Sequence, residues 1–471
     1  MRRIKGYRHR QTKTRRRAPR LGGAPTGPAH IARPDERIYT VTAGRVRANW
    51  SGSGRRAESK KDLFRYEMSR ATILVGFAEA LSAPEVVWSL VDAGFQVVAF
   101  ARKGRRSALR YSRHVVCHEI HSPESDLEAA LADLHSLLNS LSSQTGGTQL
   151  ILFPLDDKAV WLCGRAQIDN RWLFAGPLGA CSELALNKNL QVEAARAAGF
   201  NVPKSRLVRT AQDLLEFGTD ESFPIILKAA DAVPTYQGRV YSCRKWICAS
   251  REELERAIDE WKERVPLLAQ TFITGVGEGV FGLAAQDGIR AWSGHRRVRM
   301  MNPQGSGSSA CASQSVPQEL RSKVEAFLTN AGWRGLFMIE LLRDDSGKLW
   351  FVELNGRTWG SMALCRRQGL EYPAWQAELA IDERSPAGLA ASSPMSIVCR
   401  HAGREFMHLL FVLKGAKSSA LRQWPPFWET VSNMVRFRRE DGLYNWRRDD
   451  PKVFLADFYY TIHDNLFKSR N

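Results

Sequence analysis

A short stretch near residue 350 combines side chains from which a metal and phosphate site can be built. In KLWFVELNGRTWGS (348–361), Glu353, Asn355 and Arg357 alternate with apolar residues or glycine. A β-strand sends alternate side chains to opposite faces, so the three polar groups are predicted to share one face. Carboxylate and amide oxygens suit Mg²⁺, and a guanidinium suits a phosphate or a second carboxylate.

The preceding strand contributes a second acid. The turn sequence DDSG (344–347) predicts a hairpin in which Glu340 faces Phe351 and Glu353 lies diagonally from Glu340. Two converging carboxylates repel each other unless a cation neutralises them. We therefore predict a site for Mg²⁺, with Mn²⁺ as the second choice, whose ligands include Asn355. From the hairpin alone, a charged edge strand that faces solvent is an equally good reading.

Two lysines upstream favour the phosphate reading. Lys188 lies at a predicted helix start (LNKNL), and Lys228 ends the apolar strand FPIILKA (223–229). A lysine can act as a point charge on phosphate. The alternative for each is a surface lysine whose stem lies along apolar surface.

A basic strand follows between these lysines and the hairpin. GHRRVRM (294–300) is predicted to present His295, Arg297 and Arg299 on one face, where they would bind an anionic substrate or a phosphate. The alternative is a solvated basic strand. The next loop, NPQGSGSS (302–309), would be able to approach phosphate through its backbone N–H groups.

The elements around these residues predict an α/β protein. From Met68 onward, apolar strand patterns alternate with helical patterns, which is typical of a doubly wound parallel sheet. The predicted strands are 72–77, 96–102, 113–120 and 149–157. The first strand turn, VGFAEALSA, lacks G-x-G-x-x-G, so a dinucleotide cofactor is not predicted.

The order of the motifs resembles the ATP-grasp superfamily. The resemblance runs through NK, FPIILK, LLAQTFI, RRVR with GSGSS, MIEL and FVELNGR, over roughly residues 70–385. It implies an N-terminal doubly wound domain followed by a two-lobed α+β unit that holds ATP between its lobes. The predicted divisions are a disordered basic head (1–67), a pre-ATP-grasp domain (68–185), an ATP-grasp domain (186–385) and a mixed, partly helical C-terminal extension (386–471).

The same resemblance implies roles for individual residues. Those at nucleotide-contacting positions are Lys188, Lys228, Gln270, Phe272, Ile273 and Glu278. In that order, the lysines would meet the phosphates, the next three residues would lie along the adenine, and the glutamate would meet the ribose. Arg357 would steady the transferred phosphate as a catalytic residue, together with Arg297 and Arg299.

The activity that the resemblance implies is that of an ATP-dependent ligase. ATP would phosphorylate a small-molecule carboxylate, and an amine or another nucleophile would then displace phosphate, most simply forming a carbon–nitrogen bond. Trp359 and Ser361 follow the metal strand and are candidates for the acceptor pocket. The alternative is a non-catalytic ATP-binding regulator or scaffold, whose metal residues need not have survived intact.

Charge and composition limit the kinds of partner that the protein is expected to bind. The chain has 471 residues and a net charge of +19, but the first 67 residues hold nineteen Lys or Arg and five Asp or Glu, hence +14 of that total. The basic head, which precedes a plausible natural start at Met68, is the only part that suggests nucleic acid. Eight scattered cysteines without C-x-x-C indicate a cytoplasmic protein with reduced thiols. No apolar run predicts a membrane span, and homo-oligomerisation is left open.

Overall fold

The computed structural model describes residues 70–220, 223–303, 305, 307–389, 396–415 and 424–467. The predicted basic head lies outside these residues. Within them the chain forms three main sheets and a small two-stranded hairpin. The three main sheets follow one another along the chain. Each of them carries or positions residues of the candidate site described below.

The first sheet is parallel and has five strands in the order β3-β2-β1-β4-β5. Its strands are β1 (Thr72–Gly76), β2 (Gln96–Arg102), β3 (Val116–Ile120), β4 (Leu150–Pro154) and β5 (Trp172–Phe174). β1 is buried along its whole length because helices cover both faces, as the continuous apolar run TILVG predicts. The helices are α1 (Ala83–Asp92), α2 (Leu127–Gln144) and α3 (Asp157–Arg165), with a 3₁₀ helix at Ala108–Tyr111. The predicted doubly wound domain is confirmed.

Two short helices connect this sheet to a four-stranded antiparallel sheet. They are α4 (Ala180–Leu186) and α5 (Lys188–Ala197), and the second begins at Lys188, as the sequence predicted. The sheet has the order β10-β7-β11-β6, with β6 (Ser205–Val208), β7 (Ile225–Ala229), β10 (Trp246–Cys248) and β11 (Leu267–Thr271). The hairpin β8 (Thr235–Tyr236) and β9 (Arg239–Val240) interrupts it. Helices α6 (Ala211–Asp220) and α7 (Arg251–Trp261) share the core of one face.

The third sheet has seven strands in the order β16-β15-β12-β13-β14-β17-β18. They are β12 (Val276–Ala285), β13 (Gly288–Met300), β14 (Ser308–Gln314), β15 (Gly335–Arg343), β16 (Leu349–Asn355), β17 (Val398–Arg400) and β18 (Gly442–Leu443). Helix α8 (Gln318–Asn330) packs on one face. The opposite face, called here the inner face, carries Met338, Glu340, Glu353 and Asn355.

The hairpin β15–β16 differs from the predicted register. Glu340 lies directly opposite Glu353, whereas the sequence predicted it opposite Phe351. The loop is one residue longer than predicted, because the N–H of Asp344 bonds to the carbonyl of Lys348 at 3.0 Å. A bulge at Val352 then shifts the pairing by one more residue. The longer loop and the bulge together place the two carboxylates closer to each other than the sequence pattern predicted.

The predicted C-terminal extension is built into the rest of the protein. It supplies β17 and β18 to the seven-stranded sheet and the helices α11 (Ala402–Lys414), α12 (Phe427–Val435) and α13 (Pro451–Phe467). Asp450, just before α13, accepts a hydrogen bond from the Trp88 indole of the first domain at 3.1 Å. Helices α9 (Met362–Arg367) and α10 (Tyr372–Ile381) connect β16 to this region. The division at residue 386 stays a prediction.

A single hydrophobic core joins the first and third sheets. One face of the parallel sheet, helix α1 and the inner-face residues Phe281, Leu283 and Met338 belong to the same buried cluster. The indole of Trp359 stacks on Phe281 with ring centroids 4.6 Å apart and is fully buried. Trp359 is therefore part of this core rather than an open pocket wall.

Candidate functional site

The predicted metal residues lie side by side on the inner face. Glu340 and Glu353 are direct cross-strand neighbours, and such pairs have Cβ atoms about 5 Å apart. Asn355 follows on the same face, where its amide nitrogen lies 3.8 Å from Sδ of Met338. Burial raises the pKa of Glu340, the Arg297 guanidinium opposes that rise, and the neighbouring Glu353 carboxylate adds to it. A cation would relieve the repulsion, so the donor set fits a hard metal ion.

Arg297 reaches this pair across a strand with no side chains in its way. It forms an ion pair with Glu340 from two strands away. A Cβ at Gly277, on the intervening β12, would come within 2.5 Å of Cδ of Arg297. A Cβ at Gly279 would come within 3.0 Å of Nε2 of His295. The glycines of TGVGEG therefore clear a path for the basic strand, which is a structural reason for their spacing.

Lys228 and Lys245 lie close enough to the carboxylates to interact with their charges, and Lys188 lies close to Lys228. Burial lowers the pKa of Lys228 to about 8; Glu353 and Glu340 act in the opposite direction, whereas Lys188 and Lys245 lower the pKa further. Lys228 lies on the face of that sheet opposite its apolar core, beside Leu268. Among the described residues its ammonium has no hydrogen-bonded or ionic partner. A buried, unneutralised ammonium group of this kind suits a polyanion such as a phosphate chain.

Lys188 is fixed through its backbone. It opens α5, and its N–H bonds to the carbonyl of Ala230, immediately after β7, at 2.8 Å. Asn187 caps the helix with its side chain, which accepts from the N–H groups of Asn189 and Leu190. The helix start is thereby tied to the strand that carries Lys228, which explains why the two lysines lie close together.

Arg357 lies beyond the end of β16 and not on the strand face, where the alternation had placed it. Its guanidinium forms a two-pronged ion pair with Asp157, with both nitrogen–oxygen distances at 3.1 Å. Burial lowers the pKa of Arg357, but the carboxylates of Asp157, Glu353 and Asp156 together raise it, so the net pKa is raised. Asp157 opens α3 of the first domain. The first domain therefore positions Arg357, which follows β16.

A buried glutamine holds β16 in place. Gln191 of α5 accepts a hydrogen bond from the N–H of Leu354 at 2.9 Å and donates to its carbonyl at 3.0 Å. It also donates to the carbonyls of Leu184 and Ala185. Leu354 stands between Glu353 and Asn355, so this contact fixes the backbone that carries both candidate metal ligands.

Gln191→Leu is expected to destabilise the protein by about 3 kcal/mol, because it leaves buried backbone groups of Leu354 without partners. Urea unfolding followed by tryptophan fluorescence measures the change. Gln144→Leu, which removes one exposed hydrogen bond to Ser140, is the control and should alter the free energy of unfolding by less than about 0.5 kcal/mol. Equal effects of the two variants would show that Gln191 does not anchor the strand.

The predicted adenine segment lies at the end of β11. Gln270 is buried on the same face as Lys228, and its side-chain amide donates to Oγ of Ser205 at 2.7 Å. The N–H of Phe272 bonds to the carbonyl of Pro224 at 3.0 Å. Phe272 and Ile273 are half-buried in the connection between the second and third sheets. The segment thus borders the gap between Lys228 and the inner face, where an adenine contact stays a prediction.

Two predicted residues are not brought to the site. Glu278 points to the opposite face of the sheet, since it pairs with Leu341 rather than with Glu340, and it forms a two-pronged ion pair with Arg343. Arg299 is turned away by a bulge at Val298 and pairs with Glu405. The prediction of one shared basic face is therefore wrong for Arg299.

Comparison with solved structures settles the fold. The biotin carboxylase domain of Hydrogenobacter thermophilus 2-oxoglutarate carboxylase, solved with MgADP and bicarbonate, matches with TM-score 0.52 and 18% identity, covering 68% of this chain and 71% of that one. An N5-carboxyaminoimidazole ribonucleotide synthetase solved with ADP matches with TM-score 0.53 and 12% identity over 78% and 96% of the two chains. The chain has the ATP-grasp fold.

A third neighbour is an amino acid ligase. An L-amino acid ligase from Bacillus licheniformis matches with TM-score 0.50 and 16% identity, covering 67% of this chain and 75% of that one. No protein-family model and no curated protein matches the sequence. At these identities the comparisons establish the fold alone.

Three positions of the candidate site were not predicted from the sequence. Lys245 follows the β8–β9 hairpin with no periodic pattern, and only the fold brings it near Lys228 and Glu340. Asp157 belongs to the LDD sequence at the end of a predicted strand, and an acidic residue at a strand end could have indicated a site residue. Gln191 sits inside a helix pattern and carried no signal at all.

Three further findings concern other kinds of site. His295 hydrogen-bonds Ser361 at 2.8 Å, and burial, followed by the Arg297 charge, lowers the pKa of His295 to about 3, so it is neutral. Over the described part of the chain, no group of three or more His, Cys, Asp or Glu side chains could hold a metal ion. In the same residues, no helix has the length and apolar character needed to cross a membrane.

Proposed function

We propose that this protein is an ATP-dependent ligase that activates a carboxylate as an acyl phosphate for attack by an amine or another nucleophile. The observation that carries the proposal is the grouping of two adjacent carboxylates with three lysines, because this set matches the charges of a magnesium–nucleotide complex. A regulator or scaffold would not have to keep the acidic pair intact, whereas both carboxylates are present here.

Each residue would have a defined role in the reaction. Glu340, Glu353 and Asn355 would hold Mg²⁺, which when bound supplies neutralisation of the phosphate charge. Lys188, Lys228 and Lys245 would bind and orient the phosphates. Arg297 and Arg357 would stabilise the negative charge on the group in transfer, which is most of what a protein does in phosphoryl transfer.

The reaction would proceed in two balanced steps. A carboxylate oxygen of the acid attacks the γ-phosphorus, the bond from that phosphorus to ADP breaks, and an acyl phosphate forms. The amine nitrogen then attacks the acyl carbon, the carbon–oxygen bond to phosphate breaks, and the amine loses a proton. Cytoplasmic location and small-molecule substrates follow as expectations of this proposal.

Hydroxylamine trapping tests the proposal. The protein is incubated with MgATP, hydroxylamine and a panel of carboxylic acids, and hydroxamate and ADP are measured. We expect at least one acid to give equimolar hydroxamate and ADP, with neither formed when Mg²⁺ is chelated. If MgATP binds but no acid in a broad panel gives hydroxamate or stimulates ADP release, the binding-only alternative is favoured.

A further inference from the structure

The carboxyl edge of the first sheet is occupied by a segment of this chain. In an open parallel sheet, ligands bind outside the carboxyl ends of the strands, where the strand order reverses. Here the order reverses between β1 and β4, because β2 and β3 lie on one side of β1 and β4 lies on the other. The connections that follow β1 and β4 both contact residues 357–360, which come directly after β16.

Three contacts hold this segment in the crevice between the two connections. After β1, Oγ of Ser82 lies 3.0 Å from Oγ1 of Thr358, and a Cβ at Gly360 would meet Leu81 at 3.0 Å. After β4, the carbonyl of Leu155 accepts a hydrogen bond from Oγ1 of Thr358 at 3.4 Å. Ser82 and Thr358 are both buried. The segment therefore fills the part of the crevice in which these contacts lie.

Asp157, also after β4, binds one edge of the Arg357 guanidinium. Its two carboxylate oxygens accept from Nε and Nη2 at 3.1 Å each. Nη1 donates to the carbonyl of Thr358 at 3.0 Å, and Thr358 is itself held in the crevice. A guanidinium carries five N–H groups. Among the described residues, these contacts therefore leave one N–H on each terminal nitrogen of Arg357.

The remaining N–H groups lie close to the candidate metal site. Arg357 follows Asn355 by two residues, and two residues span at most about 7 Å. A phosphate on a metal ion held by Asn355 would thus lie within reach of the long arginine side chain, to which it could accept charge-assisted hydrogen bonds. Because Asp157 offsets the charge of Arg357, the direction of these N–H groups matters more than net positive charge.

We propose that Asp157 is a positioning residue for phosphoryl transfer, and that the crevice of the first sheet serves to hold Arg357 in place. The inference rests on the proposed function, since it assumes that Arg357 contacts the transferred phosphate. Asp157 acts by orientation, because it fixes two nitrogens of the guanidinium at once. Asparagine offers one acceptor oxygen in place of two, so in Asp157→Asn the guanidinium is held at one nitrogen and can turn.

The test measures the binding of inorganic phosphate to protein saturated with MgADP, where phosphate takes the place of the transferred group. Calorimetry gives its dissociation constant. We expect Asp157→Asn to bind phosphate about tenfold more weakly or worse, which corresponds to the loss of one charge-assisted hydrogen bond. The dissociation constant for MgADP should stay at the wild-type value. A residue that only clasps the two domains together would lower the thermal midpoint and leave phosphate affinity unchanged.

Two further variants show whether Asp157 acts through Arg357. In an Arg357→Met background, Asp157→Asn should not weaken phosphate binding further, because the group that it orients is gone. Arg357→Lys keeps the positive charge but cannot form the two-pronged contact with Asp157. It should therefore bind phosphate as weakly as Asp157→Asn does, and it carries the test if Asp157→Asn does not fold.

Asp169→Asn is the matched control, because it breaks an exposed ion pair with Arg171 in the same domain. It should alter neither phosphate nor MgADP binding. Three results would overturn the inference: wild-type phosphate affinity in Asp157→Asn or Arg357→Lys, a further loss in the Arg357→Met background, or no phosphate binding by the wild-type MgADP complex. Failure of the wild-type protein to bind MgADP would overturn the proposed function and this inference with it.

Discussion

Replacing Glu353 by glutamine is expected to lower acid-dependent ADP release by about 10²-fold or more while the fold is retained. The two side chains have nearly the same shape, so packing around β16 should hold. The charge changes, and a neutral amide is a poorer ligand for Mg²⁺ than a carboxylate. Steady-state ADP release with the acid found by hydroxylamine trapping measures the effect.

The stability of the same variant separates loss of function from loss of fold. Burial and the Glu353 charge raise the pKa of Glu340, so the folded state is penalised once Glu340 is ionised at neutral pH. Without metal, Glu353→Gln should therefore melt at or above the wild-type temperature, and MgATP should stabilise it less. Glu325→Gln, on the exposed side of α8, is the control. Wild-type turnover of Glu353→Gln at saturating Mg²⁺ would contradict the metal assignment.

Lys228→Met is expected to weaken MgATP binding by tenfold or more, since a charge-assisted hydrogen bond is worth about 1.5–3 kcal/mol. The substitution keeps most of the side-chain volume on an otherwise apolar strand. Isothermal calorimetry measures the dissociation constant, and Lys452→Met, an exposed substitution on α13, is the control. An unchanged dissociation constant would show that Lys228 does not contact the phosphates.

The pH dependence of Lys228 gives two signatures, and proton uptake on MgATP binding is the one that a purely structural lysine would lack. Its folded pKa of about 8 lies below the unfolded value of 10.5, so the unfolded chain holds more protons between these limits. Stability should therefore rise with pH over that window, and the full cost of the buried charge is present below pH 8. Above pH 8, MgATP should draw a proton onto Lys228, which calorimetry in buffers of different ionisation enthalpy detects. Lys228→Met should lose both effects.

Local patterns were sufficient to predict the elements and the acidic pair. The apolar runs of the first sheet gave its doubly wound form, and the order of Lys188, Lys228, Glu340 and Glu353 pointed to the observed fold. These residues have strong local context, because Lys188 begins a helix and the other three lie on strands. Periodicity is reliable there, since burial of one face dictates the spacing.

Bulges and long-range contacts account for most of what the sequence did not predict. Val298 and Val352 each add a residue to a strand, and a one-residue shift moves every later side chain to the other face. That is why Arg299 leaves the inner face and why Glu340 meets Glu353 directly. Lys245 and Asp157 come from other sheets, so no spacing within one segment encodes their proximity.

The central claim is that the phosphate of ATP is transferred to a carboxylate and not to water. The most direct measurement uses the trapped acid with both carboxylate oxygens labelled as ¹⁸O, together with MgATP and the amine. Phosphate released in the complete reaction should carry one ¹⁸O atom, because a carboxylate oxygen attacks phosphorus and leaves with it. Unlabelled phosphate formed at the same rate as ADP would contradict the account, since the acid would then never have been phosphorylated.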